Sequence, residues 1–136
     1  MSDLSTSLNI SASGMKAQGA RLRVISENVA NAGSTAVTPE ADPYRRKLVT
    51  FGSVLDRELG ASVVEVKKVS RDPAEFGQRY EPNHPAADET GYVATSNVNT
   101  VIEMADMREA QRSYEANLKV LQASRQMLQG TIELLR

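Results

Sequence analysis

Two apolar stripes, one near each end of this 136-residue chain, constrain its fold more than any other feature. Toward the C-terminus, Met104, Met107, Gln111, Tyr114, Leu118, Leu121, Arg125, Leu128, Ile132 and Leu135 alternate steps of 3 and 4 without a slip. That is the spacing of a heptad seam, which an α-helix presents along one face. Eight of the ten can pack, counting Tyr114. Toward the N-terminus, Leu4, Leu8, Ser11, Met15, Gln18, Leu22, Ile25 and Val29 repeat the pattern, apolar at six of eight positions. The spacing predicts one helix over about 4–31 and a second over about 98–136. At 1.5 Å rise per residue the second would be about 57 Å long.

The helix ends carry recognisable signals. Ser5 or Ser7 can cap the first helix, and Gly33 is placed to stop it in a left-handed conformation. Asn97 or Asn99 can cap the second, with Glu103 and Asp106 near its positive end. Gly14 and Gly19 each cost about 1 kcal/mol relative to Ala inside a helix. They imply close approach of another helix, or a helix that forms only when packed.

Between these segments the character changes. All five prolines fall there: Pro39, Pro43, Pro73, Pro82 and Pro85. Lys47-Leu48-Val49-Thr50-Phe51 and Ser62-Val63-Val64-Glu65-Val66 read as short strands, with a bend at Leu59-Gly60-Ala61. Residues 79–91 are polar and broken by proline, as in an ordered loop or extended arm. The fold class expected is mainly α with a small β insert. Two long terminal helices would form an antiparallel coiled-coil-like pair, divided as 1–33, 34–96 and 97–136. Gln18, Gln111 and Arg125 would weaken a hydrophobic seam and set register or partner choice. Ile10, Val24, Val101, Ile102 and Val120 widen the apolar face beyond what one partner covers, which marks an interaction surface. A private helical hairpin that needs no partner, a soluble interaction module, fits the stripes equally well.

Site chemistry is sparse. The chain has no cysteine, which rules out disulfides and thiolate metal sites. His84 is the one histidine, set between turn formers as a surface loop residue, and Asp88 and Glu89 beside it are too few for a metal site. No nucleophile elbow, dinucleotide fingerprint or phosphate loop occurs. No catalytic, cofactor or metal residue is expected, and the chain does not read as an enzyme. Net charge is −1 and evenly spread, without the basic excess of a nucleic-acid binder. Tyr44-Arg45-Arg46-Lys47 reads as a solvated strand edge or a protein contact. No apolar run approaches a membrane span of about 20 residues, and residues 1–8 lack the features of a Sec-type signal peptide.

Beyond this physics lies a resemblance. The run Ser13-Gly14-Met15-x-Ala17-Gln18-x-x-x-Arg21-Leu22-x-Val24-Ile25-Ser26-Glu27-Asn28-Val29-Ala30-Asn31-Ala32 resembles the N-terminal signature of flagellar rod and hook proteins. Glu103-Met104-x-x-Met107-Arg108-x-Ala110-Gln111-Arg112-x-Tyr114-Glu115-Ala116-Asn117 resembles their C-terminal signature, in the right order. In the middle, Pro43-Tyr44-Arg45-Arg46-Lys47, Tyr80-x-Pro82-x-His84-Pro85-x-Ala87-Asp88-x-x-Gly91-Tyr92-Val93 and Asn97-Val98-Asn99 are similar to the proximal-rod branch of that family. The chain departs from it at Glu40-Ala41-Asp42, where the family more often has glycine before Pro-Tyr.

The resemblance implies a structural, torque-transmitting subunit of the flagellar basal-body rod, in the periplasm, exported without a cleaved Sec signal by the flagellar type III apparatus. Implied partners are further copies of the chain, the rod proteins FlgB, FlgF and FlgG, and the rod-base protein FliE. No nucleic acid, cofactor or direct membrane insertion is implied. The assembly interface would involve Leu4, Leu8, Met15, Leu22, Ile25, Asn28, Val29 and Asn31 on the first helix. On the second it would involve Met104, Met107, Tyr114, Asn117, Leu118, Leu121, Leu128, Ile132 and Leu135. Asn28 and Asn31 are expected to end the first helix through local backbone hydrogen bonds.

Overall fold

A computed structural model describes residues 2–136. The elements run α1 (Ser2–Ala30), β1 (Lys47–Asp56), β2 (Ala61–Arg71), β3 (Gly77–Tyr80), β4 (Tyr92–Thr95) and α2 (Thr100–Leu134). The chain is therefore two long terminal helices with a small β region between them in sequence.

α1 begins at Ser2, so Ser5 and Ser7 lie inside the helix and do not cap it. Asp3 in the first turn complements the positive helix end. At the other end the Asn31 amide donates to Glu27 O at 2.9 Å, as expected. Gly33 is not the left-handed stop. Among the described residues only Gly60 and Gly91 have positive φ. The chain leaves α1 instead through a turn in which Ser34 N donates to Asn31 O at 3.0 Å.

α2 is capped by Asn99, whose Oδ1 accepts from Val101 N at 3.0 Å and Ile102 N at 3.4 Å. Asn97 does different work, described below.

β1 and β2 pair as one two-stranded sheet and run well past the five-residue stretches that propensity marks. Gly52 and Ser53 are poor strand formers, yet the partner strand carries them, and the Lys67 side chain crosses Gly52. The turn uses Gly60 at φ 63°. Asp56 Oδ1 accepts from Glu58 N and Leu59 N, an Asx turn.

β3 and β4 fall at either end of the stretch read as a loop. Their antiparallel register runs from Gly77 opposite Thr95 to Tyr80 opposite Tyr92. The two tyrosine rings meet edge to face at 5.3 Å. Gly91, at φ 87°, lets the Tyr80 ring approach to 2.9 Å from where a Cβ would stand.

The chain divides into two compact units. One holds residues up to Leu22, Thr50–Lys68 and Arg108–Arg136. The other holds Arg23–Val49 and Val69–Met107.

In the first unit, three contacts step forward along α1 while stepping back along α2. Ser7 Oγ lies 3.4 Å from Ser124 Oγ. A Cβ on Gly14 would stand 2.8 Å from Asn117 Nδ2. Arg21 pairs with Glu109 at 3.5 Å. The fully buried side chains here are small: Ser11, Ala17, Ala110 and Ser124. The Ser13 hydroxyl also accepts from Val64 N of β2 at 3.3 Å.

Against the expected seam, burial moves by one residue at Ala110, Ser124 and Thr131 and stays in place at Tyr114, Leu118, Leu121 and Leu128. Along this part of α2 Ala110 and Ser124 are buried, and Ser113, Tyr114, Asn117, Leu118, Leu121, Leu128, Gly130 and Thr131 are half-buried. Tyr114, Leu121 and Leu128 lie where the spacing places them. Gln111, Arg125 and Ile132 are exposed, Leu118 is half-buried, and Leu135 is exposed just past the end of α2 at Leu134. Small residues alternate there with Tyr114, Leu121 and Leu128, and at Gly14 the approach of Asn117 leaves no room for a side chain. Gln111 and Arg125 therefore do not interrupt the contact. Gln18 does reach it, with Oε1 buried and unpartnered. Gly14→Leu should cost about 1–3 kcal/mol by overpacking, read as a lowered urea midpoint of the purified chain.

The second unit closes on a small core of Ala36, Ala86 and Val93. His84 is half-buried beneath it rather than free on the surface. Its Nδ1 accepts from Ala86 N at 3.0 Å, which in the neutral ring leaves Nε2–H to donate to Thr35 Oγ1 at 3.2 Å.

Candidate assembly site and polar clamp

The second unit contains a polar centre that spacing does not announce. Asn28, near the end of α1, is 1% exposed. A buried amide must find partners for two N–H groups and two oxygen lone pairs. Asn28 finds all four. Nδ2 donates to Lys47 O at 2.9 Å and to Glu103 Oε2 at 3.2 Å. Oδ1 accepts from Lys47 N at 2.9 Å and from the Tyr44 hydroxyl at 2.8 Å. The pair of bonds to Lys47 imitates a neighbouring strand at the start of β1. Asn28 thus clamps distant segments together and is not a local helix stop.

Glu103 is the second member. It lies in the first turn of α2, the place where an acid complements the helix dipole, but it is fully buried. Oε2 accepts from Asn28, and Oε1 accepts from Arg46 Nε. The Arg46 guanidinium also reaches Asp72 at 3.3 Å and Asp106 at 3.4 Å. Burial works against the Arg46 charge, but the hydrogen bonds and charges of Glu103 and Asp72 more than offset it and raise its pKa. One planar cation spreads over three carboxylates, a geometry that lysine cannot copy.

The outer parts support this centre. Asn97 Oδ1 accepts from Arg46 N at 2.7 Å, and its amide donates to Asp72 O and Ala74 O. Arg45 donates to the same two carbonyls and stacks 4.2 Å over the Phe76 ring. Lys47 pairs with Glu27 at 2.7 Å, and that hydrogen bond raises the lysine pKa. Burial raises the Tyr44 pKa. The basic run at 44–47 is therefore not a solvated edge: three of its four side chains turn inward to the clamp, and Lys47 pairs at its margin.

Asp72 makes the clamp sensitive to acid. The Ala74 N–H and the Arg46 guanidinium hold its pKa below the ordinary 3.8, against the opposing effect of burial. A depressed carboxylate stabilises the fold fully above its unfolded pKa and loses that contribution as pH falls through the folded value. Stability should therefore decline below about pH 4, and Asp72→Asn should flatten part of that decline in urea midpoints.

The rest of the expected interface is distributed unevenly. Ile25 and Asn28 are buried within the chain. Leu4, Leu8, Met15, Leu22, Val29 and Asn31 on α1 are half-buried, as are Met107, Tyr114, Asn117, Leu118, Leu121 and Leu128 on α2. Met104, Ile132 and Leu135 are exposed. So are Val101, Ile102, Val120, Met127 and Leu134, which makes α2 apolar well outside its inward face. Among the described residues no cluster of acids and histidine could hold a metal ion. No described helix is long and apolar enough to cross a membrane.

The sequence matches known families at both ends. Residues 8–36 match the family described as flagella basal body rod protein. Residues 89–134 match the flagellar basal body rod FlgEFG protein C-terminal family. These regions hold most of α1 and all of α2, and they define the class as the flagellar basal-body rod proteins.

Similar whole chains narrow the class. The flagellar basal-body rod protein FlgC of Agrobacterium fabrum is 54% identical over 136 residues, covering 100% of this chain and 98% of that one. FlgC of Aquifex aeolicus is 39% identical, covering 98% of each. FlgC of Bacillus subtilis is 38% identical, covering 94% of this chain and 95% of the other. The chain belongs to the FlgC family of flagellar basal-body rod proteins, and is a structural rod subunit and not an enzyme.

Proposed function

We propose that the chain polymerises through its two terminal helices, paired as an antiparallel coiled coil, to build part of the torque-transmitting drive shaft in the proximal rod. The supporting observation is the apolar surface that α2 leaves exposed. Small side chains meet between the helices and leave Ile132, together with Val120 and Met127, outside. An exposed apolar helix face of this kind is costly in a lone subunit and is normally covered by a partner. Close packing of those side chains between copies would give the shaft its stiffness. Copies that meet head to tail without closing form a helical assembly. The helices at 1–33 and 97–136 would form the axial core, with 34–96 as an insert held by the clamp.

The neighbours in this reading are copies of the same chain, the rod proteins FlgB, FlgF and FlgG, and the rod-base protein FliE. Delivery is by the flagellar type III export apparatus into the periplasm. A photo-crosslinking residue at Met104 or Ile132 should trap rod subunits in isolated basal bodies, whereas one at Glu58 in the hairpin turn should trap far less. Strong crosslinks from Glu58 and none from either α2 position would overturn the reading.

A further inference from the structure

We propose that the clamp of Asn28, Arg46 and Glu103 sets the register of the helix pair, deciding which residue of α1 stands against which residue of α2. This rests on the antiparallel pairing proposed above. The seam itself discriminates poorly. Its α2 residues at 110, 117, 124 and 131 are Ala, Asn, Ser and Thr, of which Ser124 and Asn117 meet Ser7 and Gly14, seven residues apart. A slip of one heptad would set Ser7 against Asn117 or Thr131, and Gly14 against Ala110 or Ser124. At Ser7 and Gly14 neither slip sets two large side chains together. The larger inward residues at 114, 121 and 128 also recur every seven residues.

The clamp has no such replica. Seven residues beyond Glu103 stands Ala110, and seven before Asn28 stands Arg21. The decisive feature is that adjacent residues hold different helices: Lys47 grips Asn28 of α1, and Arg46 grips Glu103 of α2. Adjacent Cα atoms are about 3.8 Å apart, whereas a heptad slip moves one helix by about 10.5 Å. A slipped pair must therefore release Asn28 or Glu103, and either release strands buried polar groups. Buried polar networks that fix register are their best-attested use in paired helices.

The chain has no native cysteine, so each engineered pair reports alone. Ser7→Cys would be combined in turn with Ser124→Cys (native register), Asn117→Cys or Thr131→Cys (slipped by one heptad either way), in the purified full-length chain under a glutathione redox buffer. One heptad of displacement exceeds the reach of a disulfide. With the clamp intact, only the 7–124 disulfide should form. In the Asn28→Leu, Arg46→Met, Glu103→Leu background, the 7–117 or 7–131 product should rise about tenfold. Asn28→Ser provides a milder background should the triple variant lose its helical circular dichroism. If both backgrounds, still helical, form only the 7–124 disulfide, the clamp does not set register. If the three pairs form equally with the clamp intact, the helix pairing itself is wrong, which is a separate failure.

Discussion

Arg46→Ala should destabilise the chain by about 3–5 kcal/mol, the largest loss expected from any single truncation. Removing the guanidinium leaves Glu103 with no cation, at a position with no solvent exposure. Two further carboxylates, Asp72 and Asp106, lose the same partner. Folded domains hold a margin of about 5–15 kcal/mol, so this one change removes a large share of it. Arg46→Lys should recover little, because an ammonium cannot reach three acids as a fork. Arg79→Ala is the control. Arg79 and Glu81 form an exposed pair at 3.0 Å, and such pairs are worth about 0–1 kcal/mol. Urea midpoints of the three purified variants check the order. A loss at Arg46 no larger than that at Arg79 would mean that the clamp does not carry the fold of its unit.

The second large effect separates folding from assembly. Leu121→Asp and Leu128→Asp place a charge on the inward face of α2, where both leucines are half-buried. Each should lower stability and abolish swimming while the chain is still exported. Ile132→Asp and Met104→Asp place the same charge on exposed side chains. Their stability should stay within about 0.5 kcal/mol of the parent, the ordinary range for surface changes. Swimming should nevertheless be lost, because the charge would be buried at a contact between subunits. Soft-agar motility combined with thermal melts tests the pair of outcomes. Full motility in Ile132→Asp and Met104→Asp would remove α2 from the assembly surface.

Much of this fold is legible in the sequence, because heptad spacing is a property of position alone. Both helices, the Asn99 cap and the bend at Gly60 follow from it and from turn chemistry. What the spacing cannot give is the rotation of each helix. A seam chosen by spacing takes Gln111, Arg125 and Ile132, whereas burial falls at Ala110, Ser124 and Thr131. The paired strands β3 and β4 were hidden by the prolines between them. Glu103 and Arg46 were visible only as a helix-dipole acid and a strand-edge cation. Their union over 57 residues of sequence is a tertiary fact, for which local patterns hold no signal. Asn28 reads in the sequence as a local helix stop, whereas in the fold it links to Lys47 and Glu103.

A density map of the assembled basal body tests the central claim most directly. Polymerisation through the terminal helices predicts that Met104, Ile132 and Leu135 lie covered against neighbouring subunits, with α1 and α2 forming the continuous wall of the rod. The opposite result would be helices that meet only their own chain, those three side chains facing solvent, and subunits joined through the β1–β2 hairpin.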